Sequence, residues 1–561
     1  MEADIDNVFI DPIDSECLFG LLDGLPLAIA QAGAYLQESG VGLETYLRLY
    51  KQQWKELMEA RGRTETLLQD YPDRSVWTTW AISYNAIREK DEATANLLLL
   101  WSFLDNKDLW YGLFAEACKA STTMARMLSE WIGDIARKEL DFIQAMQLLR
   151  NYSMIEEVED VASYATHIVV HKWAYHYRGQ DCYGKIALLA LAVVGHAIPE
   201  TSTRDYWTLH RRLLPHVQAC SQWVIASDVN DEYKLDSDRT DEKEVMLDAI
   251  HQLGCLHKNQ GKLGDAEKMC MRALQGKVVA LGPKHISTLN TLHNLGGIFQ
   301  GQGKLGEAEK MYMRALEGYE EALGPKHTGT LETVNNIGFL FQDQGKLREA
   351  EKMYIRAMEG FEEELGPKHI STLYTLNNLG TIFKDQGKLG EAEKMYIRAL
   401  EGKEQALGPK HTSTLDTVHN LAILYRKQGK PGEALKMYKR ALEGYEEALG
   451  PKHISTMDTV NCMGLLYADQ GKLEEAEKMY MRALQGYQEA LGPETVARYR
   501  PALNTMSNLG RLFASQGEPA KAKAMYTRAL AGFQASLGPS SGKCHSLERA
   551  IASLDLEKGK I

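Results

Sequence analysis

Histidine is the side chain whose spacing in this sequence comes nearest to a chemical site. His285, His327, His369, His411 and His453 recur 42 residues apart, each in the string LGPKH. One metal ion would need its ligands at about 2 Å, whereas equivalent positions of successive repeated helices stand about 10 Å or more apart. The five histidines therefore read as turn residues. Eight cysteines include no CxxC pair, so neither a zinc motif nor a disulfide framework is written here. No HExxH, GxSxG or kinase signature occurs. A phosphate-cradling GxxxxGK[ST] loop is also absent, since every QGK is followed by Leu or Pro and Gly538–Lys543 is one residue short. The chemistry legible in this chain is recognition, and we read it as a non-enzyme.

Composition narrows the partners. The chain has 561 residues, 44% hydrophobic and 25% charged, which is globular and excludes wholesale disorder. Its net charge of −12 lacks the electrostatic footprint of a nucleic-acid or anionic-membrane binder. The longest strongly apolar stretch, Ile186–Val194, is broken by Gly195 and His196. That is far short of the roughly 20 residues a membrane helix needs. Acidic MEADIDNVFIDPID builds no secretory apolar region, and the cysteine usage suits a reducing compartment. A cytoplasmic protein is expected, with no membrane and no nucleic acid among its partners.

The elements that position its side chains repeat. QGK recurs at Gln260, Gln302, Gln344, Gln386, Gln428 and Gln470, always 42 residues apart, and QGE follows at Gln516 after 46. The four extra residues fall around Thr495–Pro501. Each of about seven units reads as two helices. In the first, Leu292, Leu295, Ile298 and Phe299 share a helical face, and Gly303 ends it. In the second, Leu305, Ala308, Tyr312, Ala315, Leu316, Tyr319 and Leu323 form a stripe that Gly324 and Pro325 stop. Ser546–Lys558, with Leu547, Ile551 and Leu554 among charges, reads as a capping helix.

Comparing copies separates framework from variable positions. One variable set is Asn290, Glu332, Tyr374, Asp416 and Asp458; three residues later come His293, Asn335, Asn377, His419 and Asn461. The residue after L-G varies most: Cys255, Gly297, Phe339, Thr381, Ile423, Leu465 and Arg511. Beyond it lie Gln300, Gln342, Lys384, Arg426 and Ala468. The spacing i, i+3, i+7, i+10 puts all four sets on one face of the first helix, away from its leucine stripe. A second asparagine recurs at Asn294, Asn336, Asn378, Asn420 and Asn508.

The wording NLGxxFxxQGKLxEAEKMYxRAL resembles the tetratricopeptide repeat, specifically its kinesin-light-chain type. The fold class this implies is mainly all-α, with an α-α superhelix over 244–537. In such proteins the variable face lines a concave groove that takes a protein or an extended peptide. Phe339, Tyr374, Ile423 and Leu465 would supply its apolar anchors. In kinesin-light-chain-like repeats the recurring asparagines hold peptide backbone. Hydrogen bonding between repeats accounts for them equally.

The first 243 residues lack this period. Leu18–Met58 reads as helical, and Ser75–Leu104 as an aromatic helix pair. Phe142–Arg178 reads as a helix, a strand SMIEEV, a strand YATHIVV and then HKWAYHYR. Helices followed by a two-strand wing predict a winged helix over 71–180. No Lys- or Arg-rich recognition helix accompanies it, and Phe142–Glu159 is acidic, against DNA binding. A helical connector (181–226), an acidic linker (227–243) and a C-terminal turn with capping helix (538–561) complete the expected organisation. In this order the pieces resemble the C-terminal half of a fungal NB-ARC protein of the STAND or NLR-like class, with 1–70 as the ARC-like segment. The resemblance implies that Pro26 of GLPLA contacts nucleotide and that His171, where an MHD-type motif stands, approaches the ADP phosphate. Only the histidine of that motif matches. Without a phosphate loop, ADP or ATP is expected only if a nucleotide domain lies upstream; otherwise no cofactor is. The plainer reading is that Pro26 starts a helix and His171 packs in a core.

The whole then reads as the sensor and regulatory part of a fungal NLR-like nonself-recognition receptor. The alternative is a constitutive scaffold or a kinesin-light-chain-like cargo adaptor. Such an adaptor should carry an N-terminal heptad coiled coil, which this sequence does not show.

Overall fold

The protein was analysed as a computed structural model, which describes residue 22 and residues 26–59, 74–158, 162–177, 183–199, 206–226 and 239–558. Gly24 and Leu25 of GLPLA and most of the expected acidic linker lie outside them. The chain forms two compact units, Met1–Gly318 and Tyr319–Ile561.

In the first unit, α1 (Pro26–Ser39), α2 (Leu43–Glu59), α3 (Arg74–Lys90) and α4 (Glu92–Trp101) are followed by α5 (Tyr111–Ala120), α6 (Thr122–Ile132) and α7 (Glu139–Asn151). Asp91 caps α4 by accepting from the Ala93 and Thr94 amides, which satisfies donors that a helix start leaves without partners. A hairpin of β1 (Ile155–Val158) and β2 (Ser163–Thr166) pairs antiparallel, with Ile155 opposite Thr166.

The second strand is shorter than its β-branched run suggests. Ile168, Val169 and Val170 already belong to α8 (Ile168–Tyr177). Val170, Trp173 and Ala174, spaced i, i+3, i+4, are all buried there. Tertiary burial of a helical stripe thus overrides local strand propensity. Trp173 stands 6.1 Å from Trp80 and 4.6 Å from Tyr177, centroid to centroid, at the centre of an aromatic core.

Two further helices, α9 (Tyr183–His196) and α10 (Tyr206–Ala226), join this core to the first repeat pair, α11 (Thr240–Asn259) and α12 (Leu263–Ala280). Helix α11 starts at Thr240, inside the stretch expected as linker. Gly195 of α9 lies so close to α11 that a Cβ on it would meet Ala249 at 2.6 Å. His196 Nε2 contacts the Val245 carbonyl at 3.0 Å, and Arg126 pairs with Asp241 at 2.8 Å and Glu242 at 3.0 Å. The non-repeat region is therefore packed onto the start of the array. Helix α13 (Ile286–Gly301) and most of α14 (Leu305–Leu323) complete the unit.

The second unit continues with helix pairs α15 (Thr328–Asp343) and α16 (Leu347–Glu364), α17 (Ile370–Asp385) and α18 (Leu389–Leu407), and α19 (Thr412–Lys427) and α20 (Pro431–Ala448). Then come α21 (Ile454–Asp469) and α22 (Leu473–Val496), α23 (Arg500–Ser515) and α24 (Pro519–Leu537), and a last helix, α25 (Gly542–Lys558). The recurring strings have distinct jobs. Gly345 of QGK ends its helix at φ +74° and Gly366 of LGP at φ +92°, a region that favours glycine. The LGPKH histidines cap the next helix: His369 Nδ1 accepts from the Ser371 amide at 3.2 Å, as His411 does from Ser413. The glutamine of QGK reaches back one unit, Gln386 to Glu351 and Gln428 to Glu393, both at 2.8 Å.

Where four extra residues enter, α22 is broken at Gly492 (φ 75°, ψ 165°). Tyr499 then takes the cap position of α23 and stacks edge-on against Tyr487 at 5.6 Å. Helix α25 buries Cys544, Leu547 and Leu554 with the last pair.

Candidate functional site

The variable positions lie on first helices whose opposite stripe is buried. In α17, Leu373, Leu376, Leu379 and Ile382 are at most 1% exposed. Tyr374 on the other face is 44% exposed, and Phe339, one unit earlier, is 49% exposed. Glu332 and Asp416 are exposed as well. Half-buried beside them are Asn335, Asn336, Asn377, Asn378, Thr381, Lys384, His419, Asn420, Ile423, Arg426, Asp458, Asn461 and Leu465. Large apolar side chains left this open, among polar neighbours, suit anchor pockets for a partner.

The asparagines tie neighbouring first helices together. Asn335 Oδ1 accepts from Thr375 Oγ1 at 3.3 Å and Asn378 Nδ2 at 3.4 Å. Asn377 Oδ1 accepts from Asn420 Nδ2 at 3.3 Å, and Asn461 Oδ1 from Thr505 Oγ1 at 2.9 Å. In the first compact unit Asn294 Nδ2 meets His251 Nε2 at 2.8 Å, and His293 stacks edge-on against Tyr312 at 5.6 Å, with Asn290 exposed a turn earlier. Of the two readings of these asparagines, bonding between repeats is present in the fold. Each primary amide has two N–H groups, so one bond from Asn378 or Asn420 leaves a second donor for a ligand backbone.

The charged members differ in state. Burial holds the His419 imidazole at about 4, with the Lys384 charge adding to the effect, so the ring is neutral near pH 7. Its Nδ1 lies 3.1 Å from Thr459 Oγ1. Burial lowers Lys384, whose side chain is 11% exposed, and raises the half-buried Asp458 carboxyl from its ordinary value. Arg426 pairs with Asp469 at 2.8 Å.

A layer behind this face escaped the sequence reading. Tyr445 donates to Asp416 and Tyr487 to Asp458, each from the second helix of the same pair, 29 residues on. At the same offset Lys277 Nζ meets Asp248 at 2.6 Å, and Lys403 Nζ sits 4.4 Å from the centroid of Tyr374. Lys403 is buried and donates to Thr417 Oγ1 at 3.0 Å and the Ser413 carbonyl at 3.3 Å. Burial pulls its ammonium down to about 8. The signal was available: two lysines stand where other copies carry Tyr or Phe.

The two residues carried over for nucleotide each have a local place in the fold. Pro26 is the exposed first residue of α1, a position that suits proline. His171 Nε2 lies 3.1 Å from the Trp101 carbonyl and 3.0 Å from that of Leu104, so its ring is engaged at the end of α4. Burial keeps that imidazole low and neutral. A cleft of about 870 Å³ in the same unit is lined by Leu27, Arg150, Ser153, His167 and the hairpin, and by neither Pro26 nor His171. Ser153 and Ala162 at its wall hold positive φ of 52° and 45°.

The tetratricopeptide repeat model matches residues 246–321, 291–363, 329–405, 375–447 and 454–535, together just over half of the sequence. The chain belongs to the tetratricopeptide repeat family. A nucleotide-binding leucine-rich repeat (NLR)-like protein of Hyaloscypha variabilis is 29% identical over 295 residues, 50% of this chain but 25% of that relative. The chain thus spans about a quarter of the relative's length. Among solved structures, a putative kinesin light chain of Podosopora anserina with nearly identical TPR-like repeats is 19% identical, with a TM-score of 0.33 over 38% of this chain and 99% of its own. Aspartyl phosphate phosphatase F of Bacillus subtilis is 14% identical, with a TM-score of 0.42 over 76% of this chain and 96% of its own. At scores this low the likenesses carry no argument about function. In this tetratricopeptide repeat chain, no helix among the described residues is long and apolar enough to cross a membrane.

Proposed function

We propose that the tetratricopeptide array binds a protein or extended peptide along its variable first-helix face, as the sensor of an NLR-like signalling receptor. The observation that carries this reading is diversity concentrated on one face of the first helices. Framework positions repeat almost verbatim, while Phe339, Thr381, Ile423 and Leu465 differ from unit to unit. Phe339 and Tyr374 project there into solvent. The packing of α9 against α11 supports a regulatory role for the N-terminal region, because a ligand on the array would act on helices fixed to it. The likeness to the Hyaloscypha protein supports the receptor context. A constitutive scaffold or cargo adaptor would use the same face, as the kinesin-light-chain wording of the repeats allows. The test is to pan a displayed random-peptide library on the purified full chain. Enrichment of a shared motif supports a recognition face; no enrichment above background contradicts it.

A further inference from the structure

The first repeat pair departs from the others at two positions that face each other. In later pairs, except where Ala422 replaces the glycine, a framework tyrosine of the second helix lays its ring on a framework glycine of the first. A Cβ on Gly296 would lie 2.6 Å from Tyr312, and one on Gly380 would lie 2.8 Å from Tyr396. The hydroxyl then reaches the residue after that glycine: Tyr396 and Thr381 are 2.9 Å apart, oxygen to oxygen. In the first pair the tyrosine is replaced by Cys270 and the residue after the glycine is Cys255. Cys270 Sγ sits 2.5 Å from where a Cβ on Gly254 would be, directly beside Cys255. The two thiols are within hydrogen-bonding reach of each other. His251, one turn before Cys255, contacts it as well, and the Lys258 charge is near. Cys270 is buried and Cys255 half-buried.

We infer that Cys255 and Cys270 form a redox modification site, oxidised to a reversible disulfide by a low-molecular-weight disulfide such as oxidised glutathione. Contacts from Cys270, His251 and Lys258 favour the Cys255 thiolate and hold it well below the ordinary thiol range, while the hydrogen bond Cys270 gives that thiolate, together with burial, pushes Cys270 up. That division suits an attacking and a resolving thiol. Cys255 loses its proton and attacks one sulfur of glutathione disulfide, forming a mixed disulfide and releasing one glutathione thiolate, which takes up the proton. Cys270 then loses its proton and attacks Cys255 Sγ. The Cys255–Cys270 bond forms, the mixed disulfide breaks, and the second glutathione leaves. One glutathione disulfide is reduced to two thiols as two protein thiols are oxidised. The bond pins α11 to α12 and removes the Cys255 thiol from the first repeat pair's variable position. Other described cysteines have no such pairing: burial alone puts Cys220 at about 12, and Cys462, mainly by burial, stands at about 11.

The test treats the folded full chain with oxidised glutathione, blocks free thiols and maps the peptides by mass spectrometry. The expected result is a dithiothreitol-sensitive crosslink between the Cys255 and Cys270 peptides, with Cys270→Ser stopping at a glutathionylated Cys255. Glutathione retained on Cys255 in the wild-type chain without a crosslink, or neither thiol oxidised, would overturn the assignment.

Discussion

Asn377 accepts a hydrogen bond from Asn420 across 3.3 Å, joining the first helices of two successive repeats. The same amide face that resembles a peptide-holding row is therefore also a structural ladder. A net protein hydrogen bond is worth about 0.5–1.5 kcal/mol. Asn377→Ala should cost about that much in urea unfolding and should also weaken a groove ligand. A stability loss with unchanged affinity would assign the asparagines to the fold alone.

Lys403 gives a pH signature. Its ammonium is held at about 8 by burial, against an ordinary lysine value of 10.5. Below pH 8 both folded and unfolded chains carry the proton, and the cost of burying the charge is fully present. Between about pH 8 and 10.5 the unfolded chain binds more protons than the folded one, so this residue's contribution to stability rises with pH. Lys403→Met should stabilise the array at pH 7 by up to about 3 kcal/mol. Its advantage over the wild type should shrink toward pH 10. A constant difference across that window would remove burial as the cause.

Two glycines in one helix should behave oppositely. A Cβ on Gly402 would stand 2.3 Å from Leu373 Cδ2, and Leu373 is buried. Gly402→Ala should therefore cost about 1–3 kcal/mol. Gly390, in the first turn of α18, has nothing within 4 Å of such an atom. Gly390→Ala should be neutral or stabilising by up to about 1 kcal/mol. Thermal melts of both variants check the contrast.

His171 is held by the carbonyls of Trp101 and Leu104. His171→Ala should destabilise the N-terminal unit by about 1–3 kcal/mol with or without added ADP. A variant that melts like the wild type but loses an ADP-induced rise in Tm would instead assign His171 to nucleotide.

Much of the array was legible because its signals are local and repeated. The left-handed glycines after each helix and the leucine stripes each follow from residue type and spacing. The partners of the variable face were less so. Tyr445 with Asp416 and Lys403 under Tyr374 join residues 29 apart on different helices, which helical period within one element cannot show. Val169 and Val170 misled for the opposite reason: β-branched residues read as strand, while burial against Trp80 and its neighbours made them helix.

The account's central claim is that the variable first-helix face carries recognition. Its most direct test measures the affinity of a library-selected peptide for chains bearing Phe339→Ala, Tyr374→Ala or Ile423→Ala. The controls are Lys352→Ala and Lys394→Ala, at exposed second-helix positions. Loss of an interface anchor costs above about 1 kcal/mol, several-fold in Kd, and more at a hot spot. The account expects losses of that size from the first set, with unchanged Tm, and Kd within about twofold of wild type from the controls. Equal affinity in both sets, or losses confined to the controls, would contradict it.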